Sequence, residues 1–258
     1  MNFLNQILAY KRQELEVRKL FVPETELYKS KFFNKKCISL KTSLLDESKT
    51  GIIAEFKRRS PSRGMINKAA DVLKVTKAYT ANGASGLSIL TDKYFFGGNS
   101  SDLVTARKNN IPILRKDFVT DPYDLIVSKA IGADVILLIA ACLSKAKVRQ
   151  FASLSKELGM EVLLEVHDEK EIGHICYDVD MVGINNRNLK TFEVDIQRSL
   201  VLSKLITADK IKVAESGIDD IKTIDLFKRS GYKGFLMGER FMKEPDPGKA
   251  FKEFVKLI

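Results

Sequence analysis

The stretch IPILRKDFVTDPYDLIVSKAIGADVILLI, residues 111–139, holds two short apolar runs on either side of a segment that reads as a helix. The runs 111–116 and 134–139 lack polar alternation, which is typical of strands buried on both faces of a parallel sheet. Between them, Asp121 and Pro122 predict an N-cap followed by proline at the first helical position. A glycine follows about one helix later, so the stretch predicts a strand–helix–strand unit.

The same order repeats along the whole chain. Eight strands alternating with helices predict the α/β class and a (β/α)8 TIM barrel. A doubly wound open sheet is the alternative, but it usually has fewer strands and a glycine-rich first turn. The other apolar runs are 51–56, 86–91, 161–166, 180–185, 211–216 and 233–238, and the other predicted helices are 2–19, 24–34, 144–159, 219–229 and 247–257.

The length and composition favour one domain. The chain has 258 residues, 45% of them apolar, which suits a single barrel with a real core. We therefore expect residues 1–258 to form one (β/α)8 domain, of which 1–50 is an N-terminal helical extension. That extension reads either as a cap on the bottom of the barrel or as a lid that touches the substrate.

Several function classes are disfavoured by the bulk sequence. The net charge is +10, but the lysines are spread along the chain and no RNA-reading motif with interleaved aromatics appears, so we expect no nucleic-acid partner. No run of 18 apolar residues occurs, and the N-terminus lacks the apolar core of a signal peptide, so we expect no membrane partner. Cys37, Cys142 and Cys176 show no CxxC spacing, which indicates reduced cysteines and a cytoplasmic protein. We expect a monomer or a weak homo-oligomer.

Charged and polar residues follow the ends of several predicted strands. Active sites of TIM barrels lie at the C-terminal ends of the strands, and Glu and Lys are rare inside a sheet unless they are paired or functional. Glu55 and Lys57 are two residues apart, so their side chains share one face of a strand. Lysines and carboxylates in one half-buried pocket shift each other's pKa values, which provides a proton donor and a proton acceptor near neutral pH. These strand-end residues are Glu55, Lys57, Lys116, Glu165, Asn185, Arg187, Glu215 and Ser216.

Two glycine-containing turns predict a phosphate site. AESG (214–217) and LMGER (236–240) follow the last two strands, where barrels of this type often bind phosphate through backbone N–H groups. Ordinary strand-to-helix turns are the alternative.

His167 and His174 have no partner at a metal-ligand spacing and read as surface or structural residues. The residues therefore indicate an acid–base enzyme, without metal or cofactor, that acts on a small phosphorylated compound.

IIAEFKRRSPSRG (52–64) resembles the first-strand signature of the indole-3-glycerol phosphate synthase family. The resemblance continues through GLSILTDKYFFGG, ILRKDFVTDPYDLIVSKAIGADVILLI, LLEVHDEKE, GINNRNLKTFEVD, VAESGI and FLMGERFM, nearly the whole chain. It implies a carboxy-lyase of tryptophan biosynthesis. Such an enzyme closes the indole ring of 1-(2-carboxyphenylamino)-1-deoxyribulose 5-phosphate with loss of CO2 and water.

The resemblance also implies roles for single residues. Lys116 is similar to the general acid that protonates the keto oxygen, and Glu165 to its partner in the later dehydration, as a base. Lys57 resembles a second lysine near the substrate carboxylate and phosphate, which is also a candidate proton donor. The resemblance does not assign the two lysines to separate steps. Glu55, Asn185 and Glu215 resemble residues that orient these groups, and Arg187 resembles a residue that braces the site. The residues that resemble a phosphate cradle are Ser60, Ser216, Gly217, Gly238 and Glu239. Those that resemble walls for the anthranilate ring are Pro61, Phe118 and Leu137.

Some features depart from the family pattern, and two rivals stay open. Arg58 and Arg59 replace a more usual lysine and small residue, and Cys142 replaces a larger aliphatic residue. A sister barrel, phosphoribosylanthranilate isomerase, uses a Cys/Asp pair where this chain has Glu-x-Lys. An RNA-binding scaffold on a barrel frame predicts loss of one or more of the acid–base residues. Loops 58–68 and 92–100 are predicted to close over the substrate.

Overall fold

The computed structural model describes residues 3–188 and 191–258, and eight parallel strands form a closed barrel at its centre. Each strand pairs with the next, and the last pairs with the first. The predicted fold class is confirmed. The strands are β1 (Ile52–Phe56), β2 (Gly86–Leu90), β3 (Ile113–Lys116), β4 (Val135–Ile139), β5 (Glu161–Val166), β6 (Met181–Asn185), β7 (Ile211–Glu215) and β8 (Tyr232–Met237).

Apolar side chains of most strands alternate between two core layers. In β1, Ile52, Ala54 and Phe56 belong to the large cluster between barrel and helices, whereas Ile53 belongs to the smaller cluster that fills the barrel. Successive side chains of a strand point to opposite faces. Glu55 therefore follows Ile53 into the interior, at the C-terminal end of the strand.

The helices that cover the barrel begin and end close to the predicted points. Asp121 caps its helix as predicted, because its side chain accepts from the backbone N–H of Tyr123 in a full capping box with Asp124. Other caps follow the same logic, with Ser144 and Asp220 as N-caps. The helices are α1 (Phe3–Phe21), α2 (Glu24–Leu27), α3 (Leu40–Leu45), α4 (Val72–Ala81), α5 (Ser100–Ala106), α6 (Pro122–Ala130), α7 (Lys145–Glu157), α8 (Glu169–Ile172), α9 (Ile196–Leu202), α10 (Ile221–Arg229), α11 (Glu239–Met242) and α12 (Pro247–Val255), with 3-10 turns at Ala140–Cys142 and Ser203–Leu205.

The N-terminal extension differs from its prediction in two places. The predicted helix 24–34 is only one turn long, Glu24–Leu27, and hydrogen-bonded turns follow it. The short helix α3 was not predicted, and its Leu40 and Leu44 enter the apolar cluster inside the barrel. Glu161, at the start of β5, accepts hydrogen bonds from Ser39, Leu40 and Lys41, so α3 closes the N-terminal end of the barrel.

Helix α1 lies at the opposite end. Its residues Phe3, Leu4 and Ile7 line the cavity at the C-terminal ends of the strands. The extension therefore has parts at both ends of the barrel: α3 plugs the bottom and α1 borders the mouth. Within the described residues, no helix has the length and apolar character that a membrane span requires.

Candidate active site

A cavity of about 380 Å³ opens at the C-terminal ends of the barrel strands. The sequence placed fifteen site residues there, and the structure brings every one of them to the wall of this cavity. They are Glu55, Lys57, Ser60, Pro61, Lys116, Phe118, Leu137, Glu165, Asn185, Arg187, Glu215, Ser216, Gly217, Gly238 and Glu239.

Lys116 lies at the centre of a hydrogen-bonded charge cluster. Its Nζ donates to Oε2 of Glu165 at 2.8 Å and to Oε2 of Glu215 at 3.1 Å. Nδ2 of Asn185 donates to the other oxygen of Glu165 at 3.1 Å. Both carboxylates are almost fully buried. Gly183 makes room for this arrangement, since a Cβ there would collide with Oε1 of Glu215.

Burial and charge pairing shift the pKa values of Lys116, Glu165 and Glu215 in different ways. Burial favours a neutral amine, but Glu165 and Glu215 raise the pKa of Lys116 above its ordinary value. Burial alone would raise the pKa of Glu165, yet Lys116 and His167 lower it well below its usual range. Burial raises the pKa of Glu215 to about 7, since the attraction of Lys116 does not offset desolvation and the nearby Glu165. The cluster thus holds an ammonium, a carboxylate and a carboxyl group that titrates near neutrality.

Glu55 and Lys57 form a second ion pair in the same cavity. Nζ of Lys57 lies 2.6 Å from Oε1 of Glu55, which is buried, and Lys57 is half-buried. Gly238, just after β8, passes close beside this pair. A Cβ at Gly238 would lie 2.7 Å from Oε1 and 2.8 Å from Cβ of Glu55, so only glycine fits without a shift. The pair and the turn after β8 therefore depend on each other.

The turns after β7 and β8 contain left-handed backbone and the start of a short helix. Ser216 and Gly217 have φ of 67° and 68°, a region that a serine adopts only under local constraint. Gly238 precedes α11, whose first N–H groups have no acceptor within the helix. A short hairpin follows β1, in which Arg59–Ser60 pairs antiparallel with Gly64–Met65. Its Ser60 is buried and lines the same cavity.

The opposite wall of the cavity is apolar. Phe118 and Leu137, both predicted as walls, line it together with Phe96, whose ring lies 6.1 Å from that of Phe118. Helix α1 adds Phe3, Leu4 and Ile7 to the lining, which the sequence did not predict. A flat aromatic group would remove this apolar surface from water.

The sequence leaves Arg58, Arg59 and Arg63 of the first loop open, either as steering groups for an anionic substrate or as solvated surface. In the structure all three have partners. Arg58 pairs with Asp102 at the start of α5 and stacks on Phe56, outside the cavity. Arg59 donates to the backbone carbonyl of Tyr94. Nε of Arg63 donates to Glu239 at 2.9 Å, so this arginine joins the hairpin to the turn after β8.

Two residues near the site escaped sequence reasoning. Lys11 of α1 is only 4% exposed and lies 3.0 Å from Asp117, the neighbour of Lys116. His167 was read as surface or structural, but its Nε2 lies 3.1 Å from Oε1 of Glu165. The signal for His167 is its spacing, two residues after a strand-end glutamate. In the described part of the chain, no group of three or more His, Cys, Asp or Glu side chains has an arrangement that could hold a metal ion.

Comparison with known families agrees with this geometry. The family model for indole-3-glycerol phosphate synthase matches residues 4–254. The chain belongs to the indole-3-glycerol phosphate synthase family. The indole-3-glycerol phosphate synthase of Bacteroides thetaiotaomicron is 44% identical over 258 residues, which is 100% of this chain and 99% of that protein. That of Bordetella pertussis is 39% identical and covers 96% of both chains.

Solved structures show the same fold at low identity. A tryptophan synthase alpha subunit from Legionella pneumophila aligns with a TM-score of 0.61 at 12% identity, over 84% of this chain and 95% of that one. A thiamine phosphate pyrophosphorylase from Pyrococcus furiosus aligns with a TM-score of 0.59 at 16% identity, over 85% and 97%. These likenesses support the barrel and carry no argument about the reaction of a family member.

Proposed function

We propose that this family member is an indole-3-glycerol phosphate synthase of tryptophan biosynthesis. It closes the indole ring of 1-(2-carboxyphenylamino)-1-deoxy-D-ribulose 5-phosphate with loss of CO2 and water. The observation that carries the proposal is the ammonium of Lys116, hydrogen-bonded between Glu165 and Glu215 in a cavity that has an apolar wall and glycine-containing turns. In the substrate, the keto group matches Lys116, the aromatic ring matches the apolar wall and the phosphate matches the turns.

Ring closure requires a ketone made electrophilic at the moment of attack. The neighbouring carboxylates keep Lys116 protonated, so it presents a hydrogen-bond donor to the keto oxygen. Attack by the ring carbon makes that oxygen an alkoxide, which is far more basic than a lysine amine and takes the proton. Loss of CO2 then restores the aromatic ring. General acid catalysis of this kind contributes about 10²–10⁴ in rate.

Dehydration requires a base beside the same carbon chain. While Lys116 is an ammonium, it stabilises the Glu165 carboxylate and makes it a weak base. Once Lys116 has given up its proton, this stabilisation is lost and the basicity of Glu165 rises. Glu165 then removes the proton next to the carbon that loses its hydroxyl, and the ammonium of Lys57 donates the proton with which that hydroxyl leaves as water. Asn185, which donates to Glu165, fixes the direction of the carboxylate.

The remaining site residues bind and orient the substrate in this proposal. Lys57, paired with Glu55, presents a second ammonium group to the substrate carboxylate and phosphate. Arg187 braces the site. Remote binding of the phosphate holds the flexible chain bent for attack. The cradle consists of Ser60, Ser216 and the backbone of Gly217, Gly238 and Glu239, and the walls for the anthranilate ring are Pro61, Phe118 and Leu137.

We further propose that residues 1–258 act as one domain, with 1–50 as its extension, and that the protein works in the cytoplasm as a monomer or weak homo-oligomer. The substrate is the small phosphorylated partner, and we propose no cofactor. The apolar runs are buried in one closed barrel, which supports the first statement.

The test is a fluorescence assay for indole-3-glycerol phosphate with purified protein and the synthetic carboxyphenylamino-deoxyribulose phosphate, in buffer with EDTA. We expect indole fluorescence to rise with time and with enzyme concentration. A wild-type protein that binds substrate but forms no indole product contradicts the proposed function.

A further inference from the structure

His167 stands directly behind Glu165 on the side away from Lys116. Oε2 of Glu165 accepts from Lys116, whereas Oε1 faces Nε2 of His167 at 3.1 Å and Nδ2 of Asn185 at 3.1 Å. The contact with His167 is ionic, since Nε2 does not have the direction of a hydrogen bond to this oxygen. Glu165 is thus placed between two cationic side chains.

A second carboxylate holds the imidazole ring in place. Oε2 of Glu171, in α8, accepts from the backbone N–H of His167 at 2.7 Å and lies 3.2 Å from ring Nδ1. Asp168 caps α8 and accepts from the backbone N–H of Glu171. This hydrogen bond fixes the first turn of α8, which carries the Glu171 carboxylate. Both ring nitrogens of His167 therefore lie close to carboxylates, which favours the doubly protonated, cationic ring.

The other titratable groups around this pair favour the same charge state. Cys142, from the turn after β4, is kept as a neutral thiol because burial and the carboxylates Glu165 and Glu171 raise its pKa. Lys116 and Glu215 reach His167 only through Glu165. Burial disfavours a charged ring, but Glu165 and Glu171 raise the pKa of His167 to about 10.

We propose that His167, held by Glu171, is a positioning residue that keeps Glu165 charged and aimed at the substrate while Lys116 gives up its proton. The inference rests on the proposed function, because it assigns His167 a task within that reaction. During the turnover one of the two cations beside Glu165 becomes neutral. His167 is the cation that stays, so Glu165 remains a carboxylate able to act as a base when dehydration begins.

The charge of His167 can be measured without any catalysis. The chain has two histidines, so the His174→Gln variant with ¹⁵N-labelled histidine shows the ring signals of His167 alone. We expect both ring nitrogens to stay protonated through pH 8, well above the ordinary midpoint of about 6.5. In the double variant with Glu165→Gln, we expect the midpoint to move down by at least about one unit.

The catalytic consequence appears in the pH profile of kcat. In His167→Gln the ring charge beside Glu165 is removed, so we expect the acidic limb of kcat to move up by about 1–3 pH units, with KM near the wild-type value. Glu171→Gln should move the limb in the same direction by less. His174→Gln is the matched control, because its ring bonds to the backbone carbonyls of Leu143 and Glu171 and not to Glu165, and its profile should match the wild type.

The two failures are distinguishable. A wild-type enzyme that makes no indole product contradicts the proposed function, whatever the state of the histidine. An active enzyme in which His167 titrates near pH 6.5 or below, or in which His167→Gln leaves the acidic limb unmoved, overturns the inference about His167. If His167→Gln does not fold, the ¹⁵N titration of the folded His174→Gln protein still decides the question.

Discussion

Nζ of Lys11 lies 3.0 Å from Oδ1 of Asp117, and both side chains are almost fully buried. Lys11 also lies 2.7 Å from Glu14 of its own helix, while Asp117 accepts from Arg115 at 2.8 Å. Burial alone would raise the pKa of Asp117, but Lys11 and Arg115 lower it below its usual range. This pair joins α1 to the end of β3, next to Lys116.

Lys11→Met should therefore destabilise the protein and loosen α1. Breaking a buried ion pair costs about 3–5 kcal/mol in the free energy of unfolding when the remaining charge has no other partner. Asp117 keeps its pair with Arg115 at 2.8 Å, so we expect a smaller loss than that. Urea unfolding measures this loss, and limited proteolysis should cut the N-terminal helix faster than in the wild type.

The matched control is Lys19→Met on the same helix. Lys19 pairs with Asp121 at 3.0 Å, but both side chains are about one-third exposed, so its loss should cost less than about 1 kcal/mol. Equal unfolding midpoints for the two variants would show that the Lys11 pair does not hold α1 to the barrel.

Glu215→Gln tests the carboxyl group that titrates near neutrality. In the folded state its pKa is raised to about 7 from an ordinary value of 4.5. Between these values the folded protein binds the proton more tightly than the unfolded chain, so stability falls as the pH rises towards 7. Glutamine mimics the protonated group, and the variant should gain stability relative to the wild type between pH 5 and pH 8.

Thermal unfolding of the wild type and of Glu215→Gln at pH 5 and at pH 8 measures this difference in stability. We also expect kcat/KM of the wild type to fall above about pH 7, because an ionised Glu215 repels an anionic substrate, and the variant to lack that inflection. A constant difference in Tm from pH 5 to pH 8 argues against a raised pKa at Glu215.

Gly238→Asp tests the turn after β8. A Cβ at this position would lie 2.8 Å from Cβ of Glu55, and the added carboxylate would face the proposed phosphate. We expect KM for the phosphorylated substrate to rise at least about tenfold, the equivalent of ~1.4 kcal/mol.

A dephosphorylated substrate analogue separates the two causes. The variant and the wild type should bind it alike if the turn holds the phosphate. An unchanged KM for the phosphorylated substrate would remove this turn from the binding site.

The barrel and most of its site follow from short-range sequence patterns. Buried runs such as that of β4 give the strands, and the closed sheet brings the carboxyl ends of all strands together, so a polar residue such as Lys116 or Glu165 at a strand end must face the mouth. The roles of these residues and the single-domain organisation remain proposals, since neither geometry nor family membership tests them.

The missed features depend on contacts between distant parts of the chain. A lysine at position 11 of an amphipathic helix reads as solvated, and only the approach of Asp117 explains its burial. Likewise, the sequence leaves the role of Arg63 open, and only the fold places this exposed side chain against Glu239. The six-residue helix α3 is too short for a periodicity to define it, and its position follows from the barrel floor that Leu40 and Leu44 fill.

The central claim is that Lys116 supplies the proton for ring closure, and its direct test is steady-state kinetics of Lys116→Met beside the wild type. Methionine keeps most of the side-chain volume and removes the ammonium. The account predicts that kcat falls by about 10²–10⁴-fold while KM changes little, since the phosphate and the ring bind elsewhere. A variant that folds normally and retains kcat within about threefold of the wild type would contradict the claim.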